Sequence, residues 1–328
     1  MSDTYTIAID AMGGDGAPGW PVLGAVLAAR EGGARVLLVG DQAEVSTELA
    51  KHDAAGLPIE VVPSKGVVVE GENPARSLLA KPKSSIAVSV GLVKEGVANA
   101  AVSMGSTGAT MAAGVIGLGL FPGLERPTLG GPFIALAPHT TIIDLGANVD
   151  SKPSQLLSFA ALGATFERIY HGIESPRVAL LSVGSEEGKG NRQTKEAFPL
   201  LQQSSLNFIG NIEGHELFMD KADVVVCDGF VGNVLLKFTE GLAQAAAAFL
   251  SKAVGADSPA VQQIRSLASA AEHAGGPLFG INGLVIAGHG RASSEAIAAS
   301  VKLARSCLDN DLIGQMRLDL AAAIGESA

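Results

Sequence analysis

Short runs rich in β-branched residues alternate along the chain with longer segments in which apolar residues return every three or four positions. The first pattern predicts strands at 5–10, 35–40, 59–63, 100–104, 140–145, 177–183, 224–228 and 284–287, with weaker candidates at 133–137 and 207–210. The second predicts helices at 21–31, 42–52, 84–95, 153–170, 191–203, 233–254, 260–274 and 294–323, the last broken near Asp309. Alternation of this kind builds βα units on a largely parallel sheet, an α/β protein.

No linker, low-complexity tract or fixed-period repeat divides the sequence, so residues 1–328 read as a single α/β domain. Its one excursion is 233–274, where two Ala-rich helices flanking 255–259 predict an antiparallel hairpin. Leu235, Phe238, Leu242, Ala245, Ala246 and Phe249 fall on one face of the first helix. Such a stripe serves packing, a subunit interface or a membrane surface. The hairpin tip carries no basic cluster to attract anionic lipid, which leaves at most weak peripheral membrane contact. The uncharged stretch 96–124 is interrupted by serines, threonines, glycines and Pro122, and it reads as strand, loop and buried helix rather than as a membrane span.

Composition narrows the function. The chain has 41 glycines among 328 residues, well above the usual share of about 7%. They stand between apolar runs, where tight turns and close backbone approaches need them. A net charge of −10 excludes a nucleic-acid binder, which needs a basic face. Two distant cysteines, Cys227 and Cys307, make neither a disulfide framework nor a zinc site. With no signal peptide visible, a cytoplasmic protein is expected.

Four strand ends share one chemistry. They are Asp10-Ala11-Met12-Gly13-Gly14-Asp15, Met104-Gly105-Ser106-Thr107-Gly108, Asp144-Leu145-Gly146-Ala147-Asn148 and Asp228-Gly229-Phe230-Val231-Gly232-Asn233. In open α/β sheets ligands bind beyond the carboxyl ends of the strands, where helix N-termini offer unpaired N–H groups to anions. Phosphate is therefore the expected ligand. Lys189-Gly190-Asn191 adds a cation and an amide before a predicted helix that carries Lys195 in its first turns, and His289 follows another strand between two glycines.

Two familiar phosphate motifs fit only formally. Gly14 to Gly19 satisfies G-x-G-x-x-G, but Asp15 would face the pyrophosphate and Pro18 removes an N–H from the turn. Gly184 to Gly190 lacks one P-loop spacer residue and the Ser/Thr that would hold magnesium.

Together these segments resemble the bacterial phosphate acyltransferase family. The resemblance rests on Ile7 to Pro18 (IAIDAMGGD and AP), Gly105 to Ala109, Arg126-Pro127, Asp144 to Pro153 (DLGANVDSKP) and Lys189 to Phe198. It continues through Phe208 to Gly214 (FIGNIEG), Lys221 to Lys237 (KADVVVCDGFVGNVLLK) and Gly275 to Gly290, and so covers nearly the whole chain. Gly16 stands where the family commonly has histidine, and Ser106 where it commonly has asparagine.

The resemblance implies a three-layer α/β/α fold on a mixed sheet, similar to phosphotransacetylase and isopropylmalate dehydrogenase-like enzymes, with the hairpin protruding from a homodimer. It implies transfer of a fatty acyl group from acyl-carrier-protein thioester to inorganic phosphate, giving acyl phosphate for phospholipid synthesis. A diverged, non-catalytic acyl-phosphate binding protein and an NAD-dependent dehydrogenase of related fold stay open as alternatives.

In this reaction phosphate is the nucleophile and a thiolate leaves, so no catalytic triad, cofactor or metal is expected. Lys189, Asn191 and Asn233 are the expected catalytic residues. Gly13, Gly14, Gly105, Ser106, Thr107, Gly108, Asn148, Lys195, Gly229, Gly232 and His289 are the expected substrate and phosphate contacts. Asp10, Asp144 and Asp228 are expected to shape loops by accepting N–H bonds, because a carboxylate touching phosphate would repel it.

Overall fold

A computed structural model describes residues 5–132, 137, 139–265 and 275–325. It divides into two compact units, Met1–Phe121 with Glu272–Ile313, and Pro122–Ala271 with Gly314–Ala328. Each is a mixed sheet flanked by helices.

The first unit contains strands β1 (Tyr5–Asp10), β2 (Ala34–Gly40), β3 (Ile59–Pro63), β4 (Ala100–Ser103), β10 (Gly276–Phe279) and β11 (Leu284–Ala287). They lie in the order β3-β2-β1-β4-β11-β10. All pairs are parallel except β10 with β11. Ala8, Leu37 and Val39 pack against Val88, Leu92 and Val93 of helix α4 (Ser85–Lys94). Their neighbours Ile7, Ile9, Val36 and Leu38 are just as buried. Strand alternation turns these to the opposite face, where α1 (Gly19–Glu31) packs against the helix Ser294–Asp309. Burial on both faces is why these strands read as unbroken apolar runs. The other helices of this unit are α2 (Gln42–Leu49), α3 (Pro74–Ala80) and α5 (Thr107–Leu118).

The second unit contains β5 (Thr128–Pro132), β6 (Thr141–Ile143), β7 (Val178–Leu181), β8 (Phe208–Ile212) and β9 (Val224–Val226), in the order β5-β6-β9-β7-β8. Only β5 with β6 is antiparallel. Helix α6 (Pro153–Tyr170) packs on β6 and β9 and beside α7 (Arg192–Gln203). Leu235 and Leu236 of α8 (Gly229–Val254) pack with Ile142, Ala179 and Val225. Thr165 and Arg168 of α6 both donate to Asp319, which seats the C-terminal helix Leu312–Ile324.

Several elements differ from expectation. Helix α3 forms where none was predicted, capped by Asn73, whose Oδ1 accepts the Arg76 N–H at 3.1 Å, with proline opening its first turn. Strands β5 and β10 were also not predicted, because glycine and proline fill TLGGP and open GPLF. Helix α8 starts four residues before the predicted Asn233, because Asp228 caps it by accepting the Val231 N–H at 2.8 Å. The break expected near Asp309 in the 294–323 helix, by contrast, is present, with Asp311 between the two helices at a φ of 47°. The weak strand candidate at 133–137, Ala137 excepted, and residues 266–274 of the hairpin lie outside the described residues. On α8, Phe238, Leu242 and Phe249 are 65%, 57% and 78% exposed. The stripe that begins at Leu235 thus leaves the core within one turn.

Candidate active site

Parallel register decides which loops meet. In the first unit Ile9 pairs with Val102 and Ser103 with Ala287, so β1, β4 and β11 end level with one another and deliver their following loops to one edge. Asp10 ends β1 and is 3% exposed. Its carboxylate accepts the Ser103 hydroxyl at 2.8 Å and the Met12 N–H at 3.2 Å, and the Ser103 oxygen accepts the Gly105 N–H at 3.1 Å. The Asp15 N–H donates to the Gly290 carbonyl at 2.7 Å. Three loops are thereby tied together. They carry Gly13, Gly14, Gly105 and Ser106, with His289 beside Gly290. Ser106 opens α5 without capping it through its side chain, so Thr107 and Gly108 lie in a first turn whose N–H groups have no partner within the helix.

Glycine is obligatory at the centre of this arrangement. A Cβ on Gly13 would stand 2.7 Å from an Asp10 carboxylate oxygen and 2.8 Å from the Gly105 nitrogen. At Gly16 a Cβ would meet the Trp20 ring at 2.0 Å, so any side chain there requires the indole to swing aside.

Burial pushes the Asp10 carboxyl above its ordinary range, and hydrogen bonds from Ser85, Ser103 and the Met12 and Gly13 backbone pull it back. The sign of the stability effect follows. Between the unfolded and the raised folded pKa the native state binds more protons, so ionisation of Asp10 removes stability as pH rises through the folded value. In urea titrations from pH 4 to pH 8, Asp10→Asn is expected to abolish that component of the slope. An identical slope in wild type and variant contradicts the assignment.

In the second unit Ile143 pairs with Val226 and Val226 with Leu180, so the ends of β6, β9 and β7 are level too. Asp144 follows β6, fully buried. One carboxylate oxygen accepts the N–H groups of Gly146 at 3.0 Å and Ala147 at 2.9 Å. The other accepts both the backbone N–H of Asn148 at 2.7 Å and its side-chain amide at 2.8 Å. Burial pushes this carboxyl up as well, against the pull of those donors. The Asn148 amide also reaches the Pro127 carbonyl, and the Asn148 carbonyl accepts the Gly229 N–H at 2.8 Å. Gly232 lies so close that a Cβ would stand 1.9 Å from the Asp144 carbonyl oxygen. Asn233 follows it on the same turn, exposed, with its side chain beside Gly146.

The first turn of α7 comes to the same edge. Asn191 caps it, its Oδ1 accepting the Thr194 N–H at 2.9 Å, which leaves the amide donors outside the cap. Lys189 and Lys195 are exposed on either side. The structure thus groups Lys189, Asn191, Lys195, Asn148, Gly229, Gly232 and Asn233 with Asp144 and Asp228 in the second unit. Gly13, Gly14, Gly105 to Gly108, His289 and Asp10 are grouped in the first.

A cleft of about 280 Å³ opens at the second unit's strand ends, lined by Asn191 and Asp228. Gln193, Thr194 and Ser182 also line it. Sequence reasoning missed these three. The Ser182 hydroxyl is buried with no hydrogen-bond partner. Cys227 is also at the cleft, where burial first and the Asp144 and Asp228 charges second push its thiol far above the ordinary range.

The family model described as fatty acid synthesis protein matches residues 5–315. The phosphate acyltransferase of Pelotomaculum thermopropionicum is 42% identical over 321 residues, which are 95% of this chain and 94% of that protein. The chain belongs to the phosphate acyltransferase family. A second member, from Syntrophomonas wolfei, is 43% identical over 327 residues, 97% of this chain and 99% of that one. The crystal structure of a phosphotransacetylase from Streptococcus pyogenes shares the fold, with a TM-score of 0.62 at 18% identity over 94% of this chain and 95% of its own. The α/β expectation with a mixed, mainly parallel sheet therefore holds. Among the described residues no helix is long and apolar enough to cross a membrane.

Proposed function

We propose that this phosphate acyltransferase family member transfers a fatty acyl group from acyl-carrier-protein thioester to inorganic phosphate, forming acyl phosphate for phospholipid synthesis, as a cytoplasmic homodimer. The observation that carries the reading is the meeting of two helix N-termini, those of α7 and α8, at a strand edge that also carries Lys189 and Lys195. Helix N-termini and lysines favour an anion, which suits a reaction in which the bound anion attacks.

A phosphate oxygen forms the new bond to the thioester carbonyl carbon, the carbonyl pair moves onto its oxygen, and on collapse the C–S pair leaves with sulfur. A thiol has a pKa of about 8.5, so the thiolate departs without strong acid help. The protein's task is to align reactants and stabilise the oxyanion, and alignment alone is worth roughly 7–11 kcal/mol. Lys189 and Lys195 balance phosphate charge, and the Asn191 and Asn233 amides donate to phosphate or to the oxyanion. Asn148, Gly229 and Gly232 hold those donors in place. In the first unit Gly13, Gly14, Gly105, Ser106, Thr107, Gly108 and His289 bind anionic groups of the substrates. Asp10, Asp144 and Asp228 each accept at least one N–H of the following loop and so shape it.

Palmitoyl-carrier-protein and phosphate test the reading through thiol release. Loss of one transition-state donor costs about 10²-fold or more in kcat. Lys189→Ala and Asn233→Ala are each expected to lose activity on that scale. Full activity in both variants overturns the residue assignment, and thiol release that does not depend on phosphate overturns the reaction.

A further inference from the structure

Residues 182–190 connect β7 to α7 and bring Lys189 to the strand edge. The segment is glycine-rich and mostly exposed, so a lysine on it would by itself sweep many positions. Three contacts restrict it. The Glu186 carbonyl accepts the Lys189 N–H at 3.0 Å, which closes a β-turn over 186–189. The same carbonyl accepts the side-chain amide of Asn211 at 2.9 Å. The stem of Lys189 crosses Gly184, where a Cβ would stand 2.9 Å from its Cγ and 3.0 Å from a Glu186 carboxylate oxygen. Asn211 is out of place in its own strand. It sits in β8 between Gly210 and Ile212, is 6% exposed and pairs across the sheet with Leu180. Its side-chain oxygen is buried without a hydrogen-bond partner. A buried amide is costly unless it is hydrogen-bonded, so the packing of the strand alone calls for an aliphatic residue here. The amide nitrogen instead reaches out of the sheet to the turn that carries Lys189. Asn211 lies in the FIGNIEG block, Phe208 to Gly214, and has no part in the assignments above.

We propose that Asn211 is a positioning residue for the transfer: from β8 it pins the 186–189 turn, and together with the bare Gly184 it fixes where Lys189 meets phosphate. The proposal rests on the phosphate role of Lys189 given above. The pin acts before phosphate arrives. It reduces the freedom that a long, flexible side chain loses on meeting an anion, and that freedom is largest for residues such as lysine. One hydrogen bond of this type changes an equilibrium by about five- to tenfold, so its removal has a measurable and bounded effect.

Asn211→Leu keeps the volume and removes the donor together with the unpaired oxygen, so the variant is expected to resist urea at least as well as wild type. Two readouts on the full chain report on the turn. In limited proteolysis, tryptic cleavage after Lys189 is expected to be about fivefold faster or more in Asn211→Leu, with cleavage at other lysines and arginines unchanged. In thiol-release kinetics, kcat/KM for phosphate is expected to fall about five- to tenfold while KM for the thioester stays the same. That loss is expected to vanish when Lys189→Ala is already present, since the pin then has no lysine to hold. Gly184→Ala is the second variant. Its added methyl meets only side-chain atoms of Lys189 and Glu186, so the lysine stem moves and the backbone does not. It is expected to show the same dependence on Lys189, and it guards against an Asn211 variant that fails to fold. An unchanged rate of cleavage after Lys189, an unchanged kcat/KM for phosphate, or an equal loss with and without Lys189 overturns the proposal while acyl-phosphate formation stands. Faster cleavage in Asn211→Leu, when wild type makes no acyl phosphate, overturns the reaction and leaves the anchoring of the turn in place.

Discussion

Gly232→Ala is expected to destabilise the protein by about 3 kcal/mol, the upper end of what overpacking usually costs. The added Cβ would stand 1.9 Å from the Asp144 carbonyl oxygen and 2.9 Å from its carbon, both backbone atoms at the end of a buried strand. No side-chain rotation relieves that contact. Either β6 or the first turn of α8 must move, and both are fixed: Asp144 by its four N–H donors, α8 by the Asp228 cap and by the Gly229 N–H on the Asn148 carbonyl. Alanine is otherwise the better helix former, by about 1 kcal/mol, so propensity alone predicts the opposite sign. Urea denaturation of wild type and variant decides between them, and stability unchanged or increased by the substitution contradicts the close contact.

Asp144→Ala is expected to cost about 3 kcal/mol or more, because each buried donor left without an acceptor costs about 1–3 kcal/mol. The N–H groups of Gly146, Ala147 and Asn148 and the Asn148 amide would all lose their acceptor. The Asn148 amide keeps its bond to the Pro127 carbonyl, which prevents complete collapse of the loop. Asp144→Asn separates the contributions. Oriented with its oxygen toward Gly146 and Ala147, asparagine preserves those two bonds and confronts Asn148 with a donor in place of an acceptor, so about half the loss is expected. Equal stability of wild type, Asn and Ala variants in denaturant titrations would mean that the carboxylate does not organise the loop.

Much of this was legible in the sequence, for a specific reason. Strands such as β1 and β2 are short apolar runs that end in Asp10 and Gly40, and a parallel sheet places such ends together whatever its detailed order. The aspartates at positions 10, 144 and 228 could therefore be read as loop-shaping residues before their partners were known. The antiparallel strands β5 and β10 were not legible, because Gly130, Gly131 and Pro132 in one and Gly276 and Pro277 in the other carry turn chemistry, and only pairing with the next strand of the chain makes them strands. The start of α8 was misplaced because Gly229 and Gly232 are poor helix formers in isolation. They are there for contact with the Asp144 loop, which sequence spacing does not express. The apolar part of the cleft lining was hidden in a different way. Leu156, Leu180 and Cys227 come from three separate elements, and each alone looks like ordinary core.

The Asp10 carboxylate accepts from Ser103 at the end of β4 and from Met12 in its own loop, and the Asp144 carboxylate accepts from the loop that follows it. These hydrogen bonds tie the ordering of both loops to the folding of the strands that carry them. Substitutions at these aspartates are therefore expected to change fold stability and, under the proposed function, phosphate binding together.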